Sequence, residues 1–155
     1  MILGFDPGSQ KCGIALMDRE KQLHYHQVVE SLEVVTTIKN LHQKFDIDLI
    51  VIGDQTHSKT WKQSLTEIIS KTVPIIKIDE RYSSLEARDR YWQMYPPQGI
   101  FRLIPLGMRI PPQPVDDIVA IILIERYLKI TLSISKNSAV SHQLLFLVLD
   151  NNFIN

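Results

Sequence analysis

Only one cysteine, Cys12, stands in the 155 residues. That excludes an internal disulfide framework and any zinc centre built from several thiolates, and it fits a reducing compartment. Neither sign of charge is in excess: Lys and Arg together number 17, as do Asp and Glu, so the formal net charge is zero. With no global positive field, a nucleic-acid partner would have to be held by a local basic patch. Long apolar runs are also missing. The longest, residues 118–124, falls far short of the roughly 20 residues that cross a bilayer, and Asp6 interrupts the apolar opening of the chain. No membrane partner and no secretory leader are expected, and the protein reads as soluble and intracellular.

What is present suits one domain with a sizeable core. Residues 2–5, 13–17 and about 23–29 read as three short strands separated by turn residues, an antiparallel meander. Residues 31–45 place Leu32, Val35, Ile38, Leu41 and Phe45 at helical spacing, with Ser31 as the expected cap. DLIVIGDQ is a continuous apolar run of strand length, as expected for a strand covered on both faces. A helix with Trp61, Leu65, Ile68 and Ile69 on its buried stripe follows, and VPIIKIDER is a second strand of the same type. Parallel pairing through helical crossovers is the economical topology. Residues 96–114 hold six of the eight prolines and read as a stiff, irregular connection. VDDIVAIILIERYLK reads as a buried helix opening on two acids. A domain over 1–129 is expected, followed by a weakly attached tail over 130–155 with no assigned role.

The acids share a positional property. Asp6 ends the first strand, Glu80 ends a later parallel strand, and Asp116 and Asp117 open the last helix. Any one of them alone is accounted for by a turn or a helix cap. As a set they point to the crevice outside the carboxyl ends of an open α/β sheet, where ligands bind. Clusters of hard oxygen donors suit Mg²⁺ or Mn²⁺, and such ions can promote attack of water on a phosphodiester.

Three motifs then carry a resemblance. GFDPGSQKCGIAL resembles the first-strand motif of the RuvC-like resolvases and of the YqgF (RuvX) family, which share a ribonuclease H-like fold. IDERYSS with LEAR resembles the family's second motif, and PVDDIVAIILIERYL its third, with Asp116 followed by Ala120 and Tyr127. The resemblance covers residues 1–129 and is closest to the cyanobacterial or plastid-type branch, which implies the cytoplasm or the plastid stroma. It implies an α/β fold with a mixed five-stranded sheet flanked by helices. It also implies a metal-dependent nuclease acting on four-way DNA junctions or on the 16S rRNA precursor, with Asp6, Glu80 and Asp116 as the catalytic, metal-binding carboxylates. Asp117 stays beside Asp116 as a metal ligand, because its spacing to Ala120 matches the resolvase form of the motif. One departure stands out: where bacterial members usually read Gly-x-Pro after the fourth strand, this chain reads Gly53-Asp54-Gln55.

The expected nucleic-acid contacts are Lys11, Thr56, Ser58, Lys59, Arg81 and Arg88. Six basic residues from Lys77 to Arg109 are interleaved with Tyr82, Tyr91, Trp92, Tyr95 and Phe101, a pattern that fits phosphate neutralisation and base stacking or, equally, packing under the proline-rich stretch. The five histidines show no metal-ligand spacing, and only His57 falls at the expected site edge. Two rival readings remain: a catalytically silent RNA- or DNA-binding ribosome-assembly module, and a fragment of an actin-like ATPase. Symmetric cutting of a junction would call for a homodimer.

Overall fold

The computed structural model describes residues 1–54, 58–69 and 73–136, the side chains of 58–60, 68, 135 and 136 excepted. Among these residues five strands form one sheet: β1 (Ile2–Asp6), β2 (Lys11–Met17), β3 (Leu23–Glu30), β4 (Leu49–Gly53) and β5 (Ile75–Ile78). Their order is β3-β2-β1-β4-β5. The first three pair antiparallel, and β4 and β5 join parallel to β1. Among the described residues four helices flank the sheet: α1 (Val34–Lys44), α2 (Ser58–Ile68), α3 (Ser83–Met94) and α4 (Asp116–Lys136). No helix among the described residues is long and apolar enough to cross a membrane.

Alternation along the strands divides the core in two. Leu3, Phe5, Ile14, Leu16, Ile50 and Ile52 face α1 and α2, whereas Ile2, Ala15, Val51, Ile76 and Ile78 face α3 and α4. Burying each of these side chains except that of Ala15 stabilises the fold by about 1.5–3 kcal/mol. Because β4 is covered on both faces, all five of its residues are buried. The same alternation puts Asp6, four residues after Ile2, on the face that α4 covers.

Several expectations need correction. Helix α1 starts at Val34, not at Ser31, and its buried residues are Val34, Ile38 and Leu41. Leu32 is 96% exposed. Ser31 caps nothing; its hydroxyl donates to the Ser9 carbonyl (3.2 Å), tying the β1–β2 turn to the end of β3. Lys11 opens β2 and does not lie in the turn before it. In α2, Leu65 is buried as expected, Ile69 packs just past the helix end, and Trp61 meets Phe5 edge-on at 5.3 Å.

Residues 96–114 contain two short 3-10 helices, Gly99–Leu103 and Leu106–Met108. Arg109 closes this segment on itself by donating to the carbonyls of Ile104 (2.6 Å) and Arg102 (3.3 Å). Tyr91 and Trp92 are core residues, Trp92 stacking on Phe101 at 6.0 Å. Packing thus accounts for much of the aromatic run. Helix α4 continues past residue 129 to Lys136, and the rest of the 130–155 tail lies outside the described residues.

Candidate active site

Asp6 is the last residue of β1, and its register partner on β2 is Gly13. That glycine matters because a Cβ there would lie 1.9 Å from the Asp116 carbonyl oxygen. Only a residue without a side chain lets the first turn of α4 rest on β2, and that contact brings Asp116 to the end of β1. Gly53 does the same for the second acid. A Cβ at Gly53 would lie 1.8 Å from Glu80 Oε2, so the Glu80 carboxylate occupies the space where a side chain would be.

Glu80 itself stands two residues past the end of β5, not at its last position, and is 5% exposed. Its N–H donates to Asp54 Oδ1 (3.3 Å), and its carbonyl accepts from the Ser83 N–H (2.9 Å). Its carboxyl shares a hydrogen bond with that of Asp6. Burial, then the neighbouring charges of Glu80 and Asp116, then that hydrogen bond push the Asp6 carboxyl up to about 7. Asp116 is raised as well, first by burial and then by Asp117, while Lys11 acts in the opposite direction.

Carboxyl groups that are desolvated and crowded against one another favour a bound cation. The donors are all hard oxygens, which suits Mg²⁺ or Mn²⁺. Among the described residues no three His, Cys, Asp or Glu side chains are gathered as a metal cage. Ions of this class bind through one or two carboxylates, with water and substrate phosphates supplying the rest. The residues present fit such an ion.

Asp117 faces elsewhere. His26, on β3, donates from Nδ1 to Asp117 Oδ2 at 2.6 Å, a direction set by the acceptor-only carboxylate. Asp117 Oδ1 accepts from the Ile118 N–H at 2.9 Å. The two neighbouring aspartates are thereby separated, Asp117 toward β3 and Asp116 toward Asp6.

The expected nucleic-acid contacts are scattered. Lys11, at the start of β2, acts on the charge of Asp116 and lies 3.9 Å from Glu30 Oε1. Arg81 turns away from the acids. Its guanidinium grips Asp79, with Nε donating to Oδ2 at 2.8 Å and Nη2 to Oδ2 at 2.6 Å, and this pulls the Asp79 carboxyl down to about 2. Arg81 also lines an open cleft of about 530 Å³ with Tyr82, Glu86, Arg126 and Lys129, which none of the three acids borders. Arg88 is exposed on α3. Thr56 and His57 lie outside the described residues, and Ser58 and Lys59 open α2 with their side chains outside them.

Two residues of the site went unforeseen. His26 is 91 positions from Asp117 and gave no local signal. Asp54 had one, the departure from Gly-x-Pro, but the pattern could not say that its carboxylate would hold Glu80.

Comparison with known proteins identifies the family and the fold. The profile of the family described as "RuvX: Holliday junction resolvase" matches residues 1–130. Among solved structures, Thermus thermophilus RuvC in complex with a Holliday junction substrate is 15% identical, with a TM-score of 0.54 over 84% of this chain and 94% of that one. A second T. thermophilus RuvC structure, also 15% identical, has a TM-score of 0.47 over 83% and 94% of the respective chains. No curated protein matches. The likeness to RuvC makes the fold ribonuclease H-like. RuvC-like resolvases depend on divalent metal ions. The family match sets aside the reading as an actin-like ATPase fragment. The chain belongs to the RuvX family of Holliday junction resolvases and is a nuclease, a hydrolase of phosphodiester bonds.

Proposed function

We propose that the chain is an endonuclease of four-way DNA junctions in which Asp6, Glu80 and Asp116 hold Mg²⁺ or Mn²⁺. The observation that carries this reading is the desolvated carboxyl pair of Asp6, at the end of β1, and Glu80, in the loop after β5, which share a hydrogen bond and feel the charge of Asp116 at the start of α4, with Asp6 pushed up to about 7. An ion bound there supplies an activated water and stabilises the leaving oxygen. The protein's own groups do the rest. Buried Glu80 and half-buried Asp6 form the floor, and Asp116 closes it from α4. Asp117 is an outer residue, held by His26, that keeps the first turn of α4 in place. Lys11, beside Asp116, offsets the charge of an incoming phosphate. The junction is favoured over precursor rRNA because the family description names it and the RuvC relative was captured with it. A symmetric junction presents two equivalent strands, so the working unit is a homodimer.

The test is cleavage of a synthetic four-way junction, a matched duplex and a precursor-16S fragment, each with Mg²⁺, Mn²⁺ or EDTA. The junction should be cut only with metal, and Asp6→Asn and Glu80→Gln should bind it without cutting. Preferential cutting of the rRNA would overturn the substrate assignment, and cleavage by Asp6→Asn would overturn the site. Binding without cleavage under either ion would favour a catalytically silent module.

A further inference from the structure

We propose that Arg126 is a positioning residue for Glu80, fixing the carboxylate through the backbone on both sides of it. The proposal rests on the reading of Glu80 as an acid that holds the ion. Arg126 lies on α4, nearly three turns beyond Asp116. Its guanidinium Nη1 donates to the carbonyl of Asp79, the residue before Glu80. Its Nη2 donates to the carbonyl of Arg81, the residue after, at 3.0 Å, and to Glu86 Oε1 on α3 at 2.8 Å.

Beyond Ile78 the chain has left the sheet, so residues 79–82 have no ladder to hold them. Side chains and a turn replace it. Asp54 takes the Glu80 N–H, Ser83 gives its N–H to the Glu80 carbonyl, and Asp79 Oδ1 takes the Arg81 N–H at 2.9 Å. The carbonyls of 79 and 81 remain, and Arg126 binds both. With the peptide units on either side fixed, the Cα–Cβ bond of Glu80 has one direction, toward Gly53 and Asp6.

The segment needs holding. Tyr82, next along the chain, has φ 62°, a left-handed conformation that is strained for a non-glycine residue. A planar guanidinium with five donors reaches two carbonyls and a carboxylate together; a lysine ammonium is a single point of donation on a flexible stem. Arg126 thus ties the Glu80 loop to the helix that supplies Asp116, so that one rigid element sets the spacing of both acids.

The experiment compares Arg126→Ala, Arg126→Lys, Glu86→Gln and Glu80→Gln with the wild-type chain. Mn²⁺ binding is measured by electron paramagnetic resonance of the free ion, junction cleavage is resolved into kcat and KM, and folding is followed by thermal denaturation. Loss of a residue that orients a metal ligand weakens metal binding by about 10- to 100-fold, and that is the effect expected for Arg126→Ala, with kcat falling and KM for the junction nearly unchanged. Arg126→Lys should recover only part of this loss, and it carries the test if the alanine variant does not fold. Glu86→Gln, which weakens the α3–α4 tie alone, should bind Mn²⁺ within about threefold of wild type. Wild-type Mn²⁺ affinity in both Arg126 variants would overturn the proposal, as would an equal loss in Glu86→Gln. Retained Mn²⁺ binding and cleavage in Glu80→Gln would instead overturn the reading of Glu80 on which it rests.

Discussion

Replacing Asp6 by asparagine should stabilise the metal-free protein at alkaline pH while abolishing cleavage. The carboxyl moves from 3.8 to about 7 on folding, through burial, Glu80 and Asp116. A rise of about 3 pKa units at about 1.4 kcal/mol per unit amounts to a cost of about 4 kcal/mol once the group is ionised in the folded state. The sign follows from proton binding. Between pH 3.8 and about 7 the folded chain keeps a proton that the unfolded chain has lost, so stability falls as pH rises through that window. Asparagine carries no charge and avoids this cost, though its buried amide still needs partners, so the expected gain at pH 8 is about 2–4 kcal/mol. For a chain of this length that is a rise in Tm of about 4–16 °C. Urea or thermal unfolding in EDTA at pH 8 and pH 4 reads it directly: a clear advantage for the variant at pH 8 that shrinks toward zero at pH 4. Adding Mg²⁺ should raise the stability of the wild-type chain and leave the variant nearly unmoved. An Asp6→Asn chain less stable than wild type at pH 8, or equally favoured at both pH values, would refute the account of a desolvated, mutually repelling cluster.

Three further outcomes follow from contacts described above. Gly53→Ala should displace the Glu80 carboxylate, cost about 1–3 kcal/mol in denaturant unfolding and remove most junction cleavage. His26→Ala leaves the Asp117 carboxylate without its imidazole partner and should lower stability by about 1–3 kcal/mol, read as a reduced Tm. Tyr82→Gly relieves a left-handed residue that is 76% exposed and packs little, so it should raise stability by about 0.5–1 kcal/mol.

The sheet was legible because its signals are local. Asp6-Pro7-Gly8 marks a strand end and a turn within three residues, and LIVIG reads as a doubly covered strand from its own composition. Helix α1 was legible in kind but not in phase. Leu32, Val35 and Ile38 satisfy a helical spacing as well as Val34, Ile38 and Leu41 do, and only the turn at the end of β3 decides between them. The three acids could be found from their positions at the ends of elements. The choice between Asp116 and Asp117 could not, because neighbours on a helix point about 100° apart and the partner that claims one of them, His26, sits on the far side of the sequence. Arg126 and Asp54 were hidden for a related reason. Each acts on main-chain groups of a distant loop, a contact that leaves no spacing to read.

The glycine contacts at positions 13 and 53 have a consequence for when the enzyme can act. Asp6 lies near the start of the chain, and Asp116 meets it only where α4 rests on β2, with most of the described residues between them. A chain still lacking α4 has no more than two of the three acids, Asp6 and Glu80. On the proposed reading, cutting nucleic acid requires α4 seated on β2, so the long-range contact at Gly13 is a condition for activity as well as for the fold.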